Sequence, residues 1–133
     1  MKIKEIREKY PYLYETHLHT KEASACARSS AQEMVQAAKD YGYAGIFVTN
    51  HAWYGNTSVD RSLPWEEWVY GFCAPFYTAK AYGDQIGLSV FFGYESCYQG
   101  TEFLIYGVDE EWLLTHPEIK DATITEQLQL VRE

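Results

Sequence analysis

Three features of this sequence predict an α/β fold with a mainly parallel sheet. Strand-like apolar runs alternate with segments of helical periodicity in the order β-α-β-α-β-β-α. The second run, A-G-I-F-V-T at 44–49, is apolar throughout, as expected of a strand covered on both faces. Helix start and stop residues fall between the runs rather than inside them. Alternation of this kind builds parallel sheets with crossover helices. Functional groups of such folds gather beyond the carboxyl ends of the strands.

Each element has a local reason. Residues 1–12 are a charged lead-in with one helical turn, stopped by Pro11. L-Y-E-T-H-L at 13–18 is β-prone and forms a first strand, and the small polar residues 20–30 form a loop. Ser30 and Glu33 make a capping box for a helix with Ala31, Met34, Val35, Ala38 and Tyr41 on one stripe, closed by Gly42. After the second strand, residues 52–63 form a long connection of the kind that often serves as a lid. Pro64 opens the next helix, Gly71 and Pro75 predict a kink in it, and Gly83 is expected to end it. Trp65, Trp68, Phe72, Phe76 and Tyr77 read as its core stripe. G-L-S-V-F-F-G-Y-E-S and T-E-F-L-I-Y-G-V follow as strands three and four, joined as a hairpin at Gln99-Gly100. Two short helical pieces close the chain.

Composition limits the function. A chain of 133 residues with 47% hydrophobic and 17% aromatic content forms one domain with a substantial core. No apolar window approaches the ~20 residues of a membrane span. The charged N-terminus, M-K-I-K-E-I-R-E-K-Y, lacks a signal-peptide hydrophobic region, so the expected compartment is the cytoplasm. Cys26, Cys73 and Cys97 are an odd number without paired spacing and read as thiols or metal ligands. The net charge is −8, and the eleven basic residues form no stripe, which argues against nucleic acid as partner. Bound divalent metals would reverse the local field for a phosphorylated substrate.

The strand ends carry the candidate chemistry. His17 and His19 stand one residue apart at the end of strand one, where side chains at i and i+2 share a side. His51 follows strand two, and Glu95 ends strand three. A lone histidine on a strand is more often structural than a ligand, and an isolated H-x-H is a weak signal, but four candidate ligands from three strand ends on one rim point to a metal. Imidazole with carboxylate suits zinc, manganese or iron rather than calcium. A carboxylate can also bridge paired metals roughly 4 Å apart, an arrangement common in phosphoester hydrolysis.

H-L-H-T at 17–20, V-T-N-H at 48–51 and G-Y-E at 93–95 resemble the first three motifs of the PHP (polymerase and histidinol phosphatase) superfamily. The resemblance covers residues from about 13 to 110. It implies a distorted (β/α)7 TIM-like barrel with up to three metals on its carboxyl rim. It also implies that His17, His19 and Glu95 hold one metal, that Glu95 bridges to a second, and that His51 belongs to a third. Cys26 stands where the family often places a further ligand, and Glu22 in the same loop is a weaker candidate. The family usually has Asp before the second-motif histidine, where this chain has Asn50.

Members continue past the Glu motif with further histidines and a late Asp-x-His. The expectation for this chain, which stops at Glu133, is therefore the first half of such a barrel. Its open edge would be covered by the rest of a longer protein or by a homo-oligomer. The implied activity is hydrolysis of a small phosphorylated substrate by metal-activated hydroxide. The alternative is a metal-binding but catalytically inert module. Lys21 and Arg28 could meet a phosphate oxygen, although solvated charge is the commoner reading of such residues. Trp53 and Tyr54 line a pocket or pack the lid. Cys97 reads as a buried thiol, and His116 as a solvent-exposed bystander.

Overall fold

A computed structural model describes residues 2–133, so that Met1 of the expected lead-in lies outside the described residues. The chain is mixed α/β, with one four-stranded sheet in the order β1-β2-β3-β4. Strands β1 (Tyr14–Leu18), β2 (Gly45–Val48) and β3 (Ser89–Tyr98) are parallel, and β4 (Thr101–Tyr106) returns antiparallel to β3. The hairpin forms at Gln99-Gly100, where both residues take left-handed φ of 49° and 84°. The sheet curls enough for Tyr106 of β4 to donate its hydroxyl hydrogen to Thr16 O of β1, across the two strands between them.

Helix α2 (Ala31–Asp40) starts at the Ser30–Glu33 capping box, and α3 (Trp65–Ile86) follows Pro64. Both cover one face of the sheet. Leu18, Ile46, Val48 and Val90 meet Val35, Ala38 and Ala79 there. The other half of the core gathers Trp68, Val69 and Phe72 of α3 around Trp53, Tyr94 and Ile105. Helices α4 (Glu110–Thr115) and α5 (Ile124–Arg132), with a 3-10 turn at 117–120 between them, close that end. Gln127 fastens α5: it accepts from the Ser96 hydroxyl at 2.6 Å and donates to Ala122 O at 2.9 Å. No helix among the described residues is long and apolar enough to cross a membrane.

Four local expectations change. The lead-in forms a seven-residue helix, α1 (Ile3–Lys9), rather than a single turn. Helix α3 runs unbroken past Gly71, Pro75 and Gly83, and stops at Gly87, whose φ is 75°. Gly83 is glycine because the helix crosses the sheet there. A Cβ at that position would stand 2.7 Å from both Leu88 O and a Val90 methyl carbon. Tyr77 is 49% exposed, so the core stripe of α3 ends with half-buried Phe76. His116 is not a solvated bystander: its ring stacks on Trp112 at 4.3 Å and its Nδ1 lies 2.7 Å from Trp112 O.

Candidate metal centre

A break in strand regularity builds the first ligand pair. The β1–β2 register shifts between Glu15 and Leu18. Tyr14, before the shift, lies beside Phe91 on the open face, whereas Leu18, after it, is buried in the helix-covered core. An irregularity of this kind changes the phase of side-chain alternation. It leaves His17 N–H for a side chain, and the Glu15 carboxylate accepts it at 2.9 Å. With Leu18 turned inward, His17 and His19 both face out on the side opposite the helices.

Pairing between β2 and β3 supplies the next two groups. It continues past Val48 as a parallel bridge between His51 and Glu95. Glu95 N–H donates to Asn50 O at 3.0 Å, and Ala52 N–H donates to Glu95 O at 2.9 Å. His51 and Glu95 are thereby clamped side by side, each 6% exposed.

The three histidines converge on one oxygen of Glu95. Glu95 Oε2 lies 3.0 Å from His17 Nε2, 2.9 Å from His19 Nε2 and 3.3 Å from His51 Nδ1. The two Nε2 atoms are themselves 3.0 Å apart. His51 Nδ1 is buried and has no hydrogen-bond partner. A neutral imidazole carries one N–H, and so cannot satisfy this crowd by donation alone. Lone pairs this close repel unless a proton or a cation lies among them. The donor set therefore fits a metal ion. Burial lowers the His19 pKa from its ordinary 6.5, the neighbouring His51 and His17 lower it further, and Glu95 opposes them. A lowered pKa keeps the imidazole neutral, as a ligand must be.

Two more side chains join this centre. Cys26 Sγ lies 3.2 Å from His19 Nδ1. Glu102 Oε1 lies 3.6 Å from His51 Nδ1. Three groups could each hold an ion: His17, His19 and Glu95; His19, Cys26 and His51; and His51, Glu95 and Glu102. Glu102 escaped the sequence reading, yet a signal for it existed. A hairpin turning at Gln99-Gly100 pairs Cys97 with Glu102, and the period of two then places Glu102 on the face of Glu95. The same register puts half-buried Cys97 on that face.

The remaining candidates sit apart. Both oxygens of Glu22 accept from Ala31 N–H, at 3.0 and 3.2 Å, so this carboxylate serves the start of α2. Lys21 is exposed, and its positive charge lies near Glu33. Arg28 is exposed and shares with His17, His19 and Cys26 the wall of an open cleft of about 410 Å³.

Asn50 takes part in a different way from the ligands. It is 2% exposed. Its Oδ1 accepts from Thr20 N–H at 2.7 Å and from the Ser24 hydroxyl at 2.9 Å, and its Nδ2 donates to Thr20 Oγ1 at 3.0 Å. Ser24 Oγ in turn accepts His51 N–H at 3.0 Å. A neutral amide thus ties the loop carrying Cys26 to the turn carrying His51. No family model matches this chain, and no curated protein matches it.

Proposed function

We propose that the chain is a metal-dependent phosphoesterase of the PHP type, with the four-stranded sheet as part of its distorted barrel. The observation that carries this reading is the meeting of His17, His19 and His51 around a single Glu95 oxygen. It lies at the carboxyl ends of parallel strands, where α/β folds place their chemistry.

The edges among His17 Nε2, His19 Nε2 and Glu95 Oε2 measure 2.9 to 3.0 Å. Neighbouring ligands lie about 3.0 Å apart on a six-coordinate ion with bonds of about 2.1 Å, and about 3.4 Å apart on a tetrahedral one. With the 3.3 Å edge from His51 Nδ1 to Glu95 Oε2, the set suits manganese, iron or zinc. Such ions, when bound, supply Lewis acidity and lower the pKa of water toward neutrality.

The chain's own groups have distinct parts. Glu95 balances the positive charge with a buried carboxylate. Asn50 and Ser24 hold His51 and the loop before Cys26 in register. Arg28, at the cleft wall, offers a fork for phosphate oxygens. Small phosphorylated molecules are the substrates this arrangement suits, and a second copy or a further chain would cover the open face of the sheet.

Elemental analysis and hydrolysis of p-nitrophenyl phosphate test the reading on the native chain and on the double variant His17→Ala/His19→Ala. Loss of both metal and turnover in the variant is expected. Turnover that survives loss of metal would overturn the mechanism. Metal without turnover in the native protein would leave an inert metal-binding module instead.

A further inference from the structure

The geometry points to a second ligand site, independent of the metal cluster: a cavity behind the sheet that takes a planar ring bearing an anionic group. Trp53, Trp65 and Trp68 line it, with Tyr54, Arg61 and Lys120 around them. Its volume is about 230 Å³. An apolar cavity of about 150 Å³ accommodates benzene, so this one has room for a fused two-ring body.

The wall has the right chemistry for such a body. Trp65 and Trp68 lie nearly parallel, 14° apart, and Trp53 meets them at steeper angles with centroids 5.6 and 5.8 Å away. These rings present faces and edges for offset or edge-on stacking. Trp53 also packs on Tyr94, next to Glu95 in β3 and therefore on the opposite side of the sheet from the metal ligands. The indole N–H groups of Trp53 and Trp68 are buried and meet no acceptor.

Charge sets the second half of the specificity. The chain carries a net −8, yet this cavity is flanked by two cations. Neither Arg61 nor Lys120 makes an ion pair among the described residues. Arg61 donates to the carbonyls of Trp53 and Gly55, which pins the loop and leaves its charge uncompensated. Lys120 Nζ stands 5.8 Å from the Tyr54 ring centroid. The Asp121 carboxylate also stands at this rim, where it accepts from the Tyr54 hydroxyl at 2.5 Å, but the two cations outnumber it, so the apolar slot favours an aromatic acid over a neutral ring.

Isothermal titration calorimetry of the full chain with 2-naphthoate, in buffer containing a metal chelator, tests the site. The neutral isostere 2-naphthamide is the control. Saturable one-site binding of the acid is expected, with the amide weaker by about fivefold, the scale of a partly exposed ionic contact. Lys120→Met should weaken the acid by about the same factor and leave the amide unchanged. Leu63→Trp, which places a large ring at the mouth, should abolish binding of both. Absence of saturable binding in the millimolar range would overturn the proposal. So would an amide that binds as tightly as the acid, or a folded Leu63→Trp protein that still binds. Should Leu63→Trp fail to fold, the Lys120→Met comparison decides alone.

Discussion

The two faces of the sheet are made from the same strands and serve opposite ends. The helix-covered face is sealed by Ile46, Val48, Val90 and Phe72, each no more than 4% exposed. The other face keeps Tyr14, Phe91 and Tyr106 at 44%, 41% and 37% exposure, and carries the cluster of histidines and carboxylates at its rim. Alternation along each strand assigns a residue to one side or the other. The difference teaches that stability and chemistry are separated here by parity: one step along β3, from Tyr94 to Glu95, moves from the apolar core to the candidate centre.

Substitutions on the two faces should therefore differ most in their cost to folding. Phe72→Ala removes a ring stacked on Trp68 at 4.7 Å and should destabilise the protein by about 3–5 kcal/mol in urea unfolding. Phe91→Ala, on the open face, should cost about 1 kcal/mol, the scale of its stacking on Phe47. Equal costs would mean that the open face is covered in solution.

Asn50→Ala strands two buried donors, Thr20 N–H and the Ser24 hydroxyl, at about 1–3 kcal/mol each. Asn50→Asp keeps both acceptor contacts and should recover most of that loss. A failure of Asp to recover it would show that neutrality, rather than acceptance, is what position 50 needs.

At the rim the effects move from stability to metal. Glu102→Gln should weaken metal binding by about tenfold, read by competition with a fluorescent chelator, as changes near a first ligand shell do. Glu22→Gln should leave it unchanged, because that carboxylate is engaged with Ala31 N–H. Reversal of these two results would return Glu22 to the ligand set.

The smallest effect concerns pH. The folded chain holds the His19 pKa below its ordinary 6.5. In the window below 6.5 the unfolded chain binds more protons than the folded one, so stability is full above that pH and declines as pH falls through the folded pKa. Metal-free native protein should thus lose more stability than His19→Asn between pH 7 and 5.5. Equal loss would place the sensitivity elsewhere.

Most elements were legible in the sequence because their causes are local. Ser30 with Glu33 starts α2, Gln99-Gly100 turns the hairpin, and an apolar run marks β2. The ends of three strands were enough to bring His17, His19, His51 and Glu95 to one rim. Gly83 misled because a glycine reads as a helix stop when it stands alone in sequence. Only the crossing of α3 over Leu88 and Val90 shows that the missing Cβ makes room for a contact.

What the sequence determined by itself was thus the order of elements and the membership of the rim. Tertiary structure alone decided the register shift in β1, the entry of Glu102 through its pairing with Cys97, the bonding of Asn50 to Thr20 and Ser24, and the aromatic cavity behind the sheet. The physical reason is range. Periodicity and capping act over a few residues, whereas facing, burial and hydrogen-bond partnership depend on segments tens of residues apart that meet only when the sheet curls and the helices close over one side of it.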